Sequence, residues 1–594
     1  MVKKKQLMTG NQAISRGFYE AGGLLASSYP GSPTVGILTE VKKYDEIYGE
    51  FSINEKVALE VGIGASFAGG RTMVSMKHVG LNIAADPFMT FTQTTVNGGF
   101  LLVTGDDPGM SSSQNEQDNR ILAKFAHCPI FDPSNSQEAK ASVGIALEMS
   151  ENYHCPAVMR ITSRLCHSRS IVTLEERTEV DNPSFSGESK NFGMIPPNTF
   201  KKQYDMKERI AALSEAANTF SYNEYIPAEN KETLIITSGL MYNNLMELGL
   251  DVGIYKLGMV YPLPIKRIKE LSKEYKNIIV LEEMMPFMEN ELKINGILCK
   301  GKEYFSFTGE LPSEAIEEGL LKAGVIKKRI FEKQKAVDTV ARLPMFCAGC
   351  PHRPVFDILK KTKHKVIGDI GCYSLSILYP IEVSNSIISM GASIGIAKGM
   401  AKVNKLKGVN EPVIAVIGDG TFFHSGMTGM VNLLHQNEDE NITIIILNNG
   451  LTAMTGGQEN ANTGKYIPSA DMHVDIPALL KTVGLPEVQV VDQFEYKKAK
   501  QVITDAIKHE GLSIVMTTRP CALNFKIKEP YYYVDPEVCI GCRTCLKTNC
   551  PPILMKAYEG MDKLKSSIDP TMCVGCSVCS QVCPVGAIKC SEVK

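Results

Sequence analysis

The chain has 594 residues, 44% apolar and 22% charged, which suits a globular protein of about four domains and excludes a disordered or fibrous one. Its 63 Lys and Arg against 65 Asp and Glu leave a net charge of −2, so no basic balance argues for nucleic acid. The 17 cysteines and the absence of tryptophan are unusual, yet a secreted disulfide scaffold would be shorter and denser in cysteine.

In chain order, Met1 to Lys5 is basic, but Gln6, Thr9, Gly10 and Asn11 leave no apolar stretch behind it, so no signal peptide is expected. The longest aliphatic runs, such as Ile444–Leu447, are strand-sized, far short of the ~18–20 residues of a membrane span. A cytoplasmic chain without membrane contact is expected, in which clustered cysteines are metal ligands.

Residues 1–190 read as α/β. A strand over 25–29 enters the turn Pro30-Gly31-Ser32-Pro33, Glu55 to Gly70 has helical apolar spacing, and a buried strand over 100–104 is closed by Gly105-Asp106-Asp107-Pro108-Gly109. Residues 178–230 are polar and read as a linker. Residues 231–335 resume with strands at 233–238, 254–257 and 277–281, a compact parallel α/β unit. A third α/β unit spans 340–530, with strands at 366–370, 413–417, 442–447 and 512–517. Beyond Pro530, residues 535–594 are dominated by cysteine.

That tail carries Cys539, Cys542, Cys545 and Cys550-Pro551, then Cys573, Cys576, Cys579 and Cys583-Pro584. Zinc is the alternative for paired CxxC motifs, but two four-cysteine runs, each ending in proline, resemble a bacterial two-cluster ferredoxin. By that resemblance Cys539, Cys542, Cys545 and Cys583 hold one [4Fe-4S] cluster, and Cys573, Cys576, Cys579 and Cys550 the other. The first run departs from the pattern, with four residues rather than three before its last cysteine.

Strand 413–417 runs into Gly418-Asp419-Gly420-Thr421, and 27 residues, 421 to 447, precede Asn448-Asn449. Glycines admit a diphosphate closely. Asp and Asn oxygens suit Mg²⁺, and strand carboxyl ends are where α/β sheets bind cofactors. The pair resembles the GDG–NN motif of thiamine diphosphate enzymes, which assigns Asp419, the Asn449 side chain and the Leu451 carbonyl to Mg²⁺. Such an enzyme needs a carboxylate beside the aminopyrimidine. Glu55, ahead of an Ala/Gly-rich helix, resembles that glutamate; Glu60 is the competitor, and a solvated helix-start carboxylate the plain alternative.

Tyr29-Pro30-Gly31-Ser32-Pro33, Cys347-Ala348-Gly349-Cys350-Pro351-His352 and Gly368-Asp369-Ile370-Gly371-Cys372 resemble the YPxTP, CPGC and GxxGC elements of 2-oxoacid:ferredoxin oxidoreductases. Ser32 replaces a threonine and Ala348 a proline. Gly105–Gly109, Ser112–Asp118 and Arg519-Pro520-Cys521 look like the large subunit of the indolepyruvate branch. The resemblance implies thiamine pyrimidine and diphosphate domains, a transketolase C-terminal-like domain and a two-cluster ferredoxin domain. It also implies a third cluster on Cys347, Cys350, Cys372 and Cys521, although Cys521 alone reads as an inert core thiol. Ser32, His78, His352, His424 and Arg164 fall in or near the matched motifs and are candidates to line the site.

The implied reaction is oxidative decarboxylation of an aryl 2-oxoacid, with Glu55 activating the thiamine. Aryl-acetyl-CoA, carbon dioxide and reduced external ferredoxin are the products. A smaller beta subunit supplies what this chain lacks, in an (αβ)₂ assembly. The rival readings are a related enzyme with another 2-oxoacid, a non-oxidative thiamine decarboxylase, and a non-catalytic electron-transfer subunit. No tryptophan can stack an indole, but 22 Phe and 21 Tyr leave aromatic surface. Cys128, Cys155, Cys166, Cys299 and Cys590 match no ligand pattern and read as buried or incidental thiols.

Overall fold

The computed structural model describes residues 4–592 except 182, 186, 197, 333–338, 341–342, 437–438 and 464–472. The chain divides into two compact units, Met1–Ala336 and Val337–Lys594. The end of the expected 231–335 segment and the start of 340–530 fall partly outside the described residues.

In the first unit a seven-stranded sheet runs in the order Met259–Tyr261, Ile130–Phe131, Ala157–Thr162, Phe100–Asp106, Thr72–Lys77, Leu25–Ser28, Tyr48–Phe51. Only the first strand is antiparallel to its neighbour. Phe100–Asp106 is buried along its whole length, as a parallel strand covered on both faces must be. One face packs Ile14, Phe18, Val143 and Leu147 from the helices Gly10–Glu20 and Ser136–Tyr153. Thr9 and Gln12 close the start of the former helix reciprocally. A four-stranded sheet comes next, in the order Asn277–Leu281, Thr233–Ser238, Gly253–Leu257, Glu224–Ile226.

The 178–230 stretch is more than the expected linker. Its helix Asn198–Ala217 buries Leu213 and Ala217 in the first core, and Glu224–Ile226 edges the second sheet. Its buried face is so narrow that the polar face dominates the composition. Met259–Tyr261, within the expected 231–335 segment but not among its expected strands, joins the first sheet.

A buried charge network links these two sheets. Arg120 pairs with Asp118 at 2.6 Å and with Glu282 at 2.9 Å, and also donates to the Glu283 carbonyl at 3.0 Å. Arg160 pairs with Asp106 at 2.8 Å and faces Asp132 at 3.5 Å. Burial pushes the Asp106 carboxyl up to about 7 and raises Glu282 and Glu283, with the arginines opposing it.

The second unit is built on a six-stranded, wholly parallel sheet: Ser384–Ser386, Lys365–Ile367, Val413–Gly418, Ile442–Leu447, Leu512–Thr517, Val488–Val491. Strands 442–447 and 512–517 match expectation. The strand expected over 366–370 stops at Ile367, where Gly368-Asp369 turns the chain. The short strands Ser384–Ser386 and Val488–Val491 escape sequence reading. The C-terminal segment forms two antiparallel ribbons, Tyr532–Val534 with Ile588–Cys590 and Ile553–Lys556 with Lys565–Ile568. Among the described residues no helix is long and apolar enough to cross a membrane.

Substituting Arg120 by Met would strand the Asp118 and Glu282 carboxylates in the interior. The expected cost is about 3–5 kcal/mol, read as a lowered urea midpoint for the first unit. An unchanged midpoint would show that the network carries no stability.

Candidate functional site

In the first unit the expected residues gather at the carboxyl edge of the seven-stranded sheet. Glu55 opens the helix Glu55–Phe67 and is buried, with Asn54 capping through the Val57 amide at 2.8 Å. Gly80, in the helix that begins at His78, leaves no room beside it: a Cβ there would come within 2.6 Å of Glu55 Cγ. The Ser32 turn lies nearby, since Gly105 packs against Pro33 and Thr34. His78 is fully buried, its Nδ1 3.3 Å from the Gly105 carbonyl and its Nε2 3.2 Å from that of Asn115. A neutral ring donates to one of these at a time, and burial lowers its basicity. These are the contacts of a residue that pins the 105–118 loop. Asp107 fixes the same loop by accepting from Ser112 N at 2.8 Å, Ser113 Oγ at 2.6 Å and Ser163 Oγ at 2.5 Å. Arg164 pairs with Glu310.

In the second unit the parallel register sets Gly418 opposite Leu447. Asp419 and Asn449 therefore leave neighbouring strands at the same edge. Asp419 is buried, and burial pushes its carboxyl up to about 6, opposed mainly by a 2.9 Å hydrogen bond from Asn460 Nδ2. A Cβ on Gly420 would lie 2.8 Å from Thr452 Oγ1, so any larger residue in the turn would have to displace Thr452. Asn449 Oδ1 accepts from the Leu451 amide at 3.2 Å, while its Nδ2 faces His352 Nε2 at 3.5 Å. A buried carboxylate and a carboxamide oxygen leaving neighbouring strand ends are hard donors of the kind that suits Mg²⁺ and a diphosphate.

The remaining expected cofactor residues are spoken for locally. Thr421 Oγ1 donates to the Ile370 carbonyl at 2.8 Å and accepts from Tyr373 at 3.2 Å, so it ties down the 368–373 loop. His424 is buried in a π-helical turn, with Nδ1 2.7 Å from Ser425 Oγ. His352 opens the helix His352–Thr362 and is buried, with its Nδ1 lacking a hydrogen-bond partner and its proton affinity depressed by burial to about 4. Because its Nε2 meets an amide donor, it accepts there and carries its proton on Nδ1.

Several of the matched cysteines lie close enough to influence one another. Cys372 feels the charges of Cys521 and Cys347, and Cys350 those of Cys372 and Cys347. Burial pushes the Cys350 and Cys372 thiols up to about 12 and about 11. In the tail Cys545 feels Cys539 and Cys583, whereas Cys576 and Cys579 feel Cys550 and Cys573. The fourth cysteine of each run thus sits with the other run. Among the described residues no three His, Cys, Asp or Glu side chains close on a single ion; a [4Fe-4S] cluster would take one thiolate per iron. Amides aim at sulfurs, Tyr532 N at Cys573 (3.5 Å) and Ala587 N at Cys583 (3.3 Å), and such hydrogen bonds tune cluster potentials. Cys128, Cys155, Cys166 and Cys299 are buried with raised thiols, and Cys590 lies half-buried in a ribbon.

Sequence reading missed three residues. Asp369 is buried and accepts from the amides of Ile370, Gly391 and Ser393 at 2.8–3.0 Å, fixing the loop before Cys372. Its place in the Gly-Asp turn was the available signal. Asn460 and Arg353 carry none.

The comparisons agree with this geometry. Residues 369–517 match the family model "Thiamine pyrophosphate enzyme, C-terminal TPP binding domain", and residues 531–584 the "4Fe-4S dicluster domain". The protein is a thiamine diphosphate-dependent oxidoreductase with [4Fe-4S] clusters, of mixed α/β fold. Indolepyruvate oxidoreductase subunit IorA of Pyrococcus horikoshii is 36% identical, over 99% of this chain and 97% of that protein. Its Archaeoglobus fulgidus counterpart is 34% identical over the same shares. The chain belongs to this IorA family, within the 2-oxoacid:ferredoxin oxidoreductases. Among solved structures, a 2-oxoglutarate:ferredoxin oxidoreductase from Magnetococcus marinus aligns over 55% of this chain and 66% of that one, with 17% identity and a TM-score of 0.46.

Replacing Asn460 by Ala is expected to weaken Mg²⁺-dependent thiamine diphosphate binding by about 10–100-fold, as loss of a ligand's orienting partner does. Calorimetry on the anaerobic holoprotein, stripped of the cofactor and reloaded, measures this. Unchanged affinity would remove Asn460 from the site.

Proposed function

We propose that this chain is the large subunit of an enzyme that oxidatively decarboxylates an aryl 2-oxoacid, indolepyruvate first, to aryl-acetyl-CoA and carbon dioxide while reducing ferredoxin. One observation carries the coupling of the two chemistries. The Cys521 amide donates to the Asn449 carbonyl at 3.1 Å, and the Asn449 side chain faces His352, two residues beyond Cys350. The cation-binding edge and the Cys347, Cys350, Cys372, Cys521 quartet therefore share backbone. The aryl substrate rests on the indolepyruvate oxidoreductase relatives.

When bound, thiamine diphosphate supplies an electron sink for the carbanion left by decarboxylation. Glu55, backed by Gly80, is the carboxylate for the aminopyrimidine end. Asp419, Asn449 and the Leu451 carbonyl hold Mg²⁺ at the diphosphate end. Gly418 and Gly420 admit the phosphates, and Thr421 and His424 brace the turn. His352 orients the Asn449 amide so that its oxygen stays on the cation side, and His78 and Ser32 shape the edge near Glu55. The twelve matched cysteines carry three [4Fe-4S] clusters, two of them in the tail. The relatives' name "subunit" supports a partner chain; the proposal makes it a smaller beta subunit in an (αβ)₂ assembly that works in the cytoplasm with coenzyme A. Domains are assigned as 1–190, 231–335, 340–530 and 535–594.

The test is anaerobic co-expression with the small subunit and coenzyme A-dependent viologen reduction on indolepyruvate, phenylpyruvate, pyruvate and 2-oxoglutarate. The aryl acids should lead, and the substitution Glu55→Gln should lower kcat by about 10²–10⁴-fold. A preference for pyruvate or 2-oxoglutarate would overturn the aryl assignment, and full activity of the Glu55 variant would overturn its role.

A further inference from the structure

The first cysteine run of the tail has one residue more before its last cysteine than the ferredoxin pattern, Leu546-Lys547-Thr548-Asn549. Asn549 takes up the extra length in the left-handed region, at φ 55°, a conformation asparagine tolerates better than most residues. The loop so formed presents two carbonyls to one buried cation. Arg353 Nη1 donates to the Asn549 carbonyl and reaches that of Thr548 at 3.5 Å. On its other side, Nη2 donates to the Phe346 carbonyl and Nε to that of Cys347 at 3.0 Å. The guanidinium is buried and stacked toward the Phe346 ring at 5.7 Å. Its charge is felt by Cys550 and Cys576 of the tail and by Cys347 and Cys350 of the upstream motif.

A second contact runs in parallel. Gly349 packs so closely against Val574 of the second run that no Cβ would fit there. Only a planar fork with five donors reaches four carbonyls on two loops at once. Among the described residues this cation has no carboxylate partner, which is unusual, because burying a charge costs several kcal/mol unless it is compensated. Carbonyl dipoles compensate it in part, and two anionic thiolate-ligated clusters would complete the compensation.

We propose that Arg353 is a positioning residue for electron transfer, holding the Cys550-side cluster of the tail against the cluster of Cys347, Cys350, Cys372 and Cys521, with the lengthened Thr548-Asn549 loop as its grip. The inference rests on the three-cluster reading above. In the step it serves, one electron leaves the upstream cluster, which is oxidised, and enters the Cys550-side cluster, which is reduced. Arg353 keeps its proton throughout, and its positive charge raises the reduction potential of both clusters.

The experiment uses the co-expressed, anaerobically purified holoenzyme with Arg353→Met and Arg353→Lys. Iron is counted first, then potentiometric EPR titration and stopped-flow reduction are run on each. The Met variant should shift both midpoint potentials to more negative values and slow inter-cluster transfer by about tenfold. The Lys variant, which keeps the charge but not the fork, should restore the potentials more than the rate. Twelve irons per chain with unmoved potentials and rates in both variants would overturn this proposal alone. Eight irons in the unsubstituted enzyme would overturn the three-cluster reading and this proposal with it.

Discussion

The cofactor chemistry of the second unit depends on one constraint, the parallel register between Val413–Gly418 and Ile442–Leu447. Both strands are buried throughout, and a one-residue slip in either would send the whole strand to the wrong face. Fixing Gly418 opposite Leu447 fixes where each strand ends, and so where Asp419 and Asn449 emerge. The polar groups at that edge are buried and hydrogen-bonded to one another. Asn460 steadies Asp419, the Leu451 amide and His352 set the Asn449 carboxamide, and Asp369 ties three amides of the adjoining loops.

The same edge explains why the iron–sulfur chemistry belongs to this chain. Cys521 lies just past the strand Leu512–Thr517 and is anchored on the Asn449 carbonyl. Cys372 comes directly after the Asp369 loop, and Cys347 and Cys350 precede the helix that His352 opens. The cysteines are thus appended to elements that this edge already holds, and the tail is gripped in turn through Arg353 and through Val574 packed on Gly349. A non-oxidative decarboxylase has no use for such a chain of anchors.

Sequence reading located this edge because its signals are local. Strands buried on both faces read as unbroken apolar runs, and GDG and NN stand directly at their ends. Cysteine spacing exposed the tail clusters for the same reason. The assignment of Cys521 rests on the family resemblance alone, since a lone thiol carries no spacing. Asn460 and Arg353 stayed invisible because their partners are a carboxylate and backbone carbonyls brought in by folding, 41 and up to 196 residues away. The edge strands Ser384–Ser386 and Glu224–Ile226 were missed because three polar or mixed residues hold no period. The buried face of the helix Asn198–Ala217 was outvoted by its polar one.

The central claim is that thiamine chemistry and cluster reduction are coupled within this subunit. It is tested most directly by mixing the anaerobic holoenzyme with indolepyruvate, coenzyme A omitted, while monitoring the visible absorbance of the clusters. Rapid bleaching that requires both thiamine diphosphate and Mg²⁺ is the predicted result. Release of carbon dioxide with the clusters left fully oxidised would contradict it.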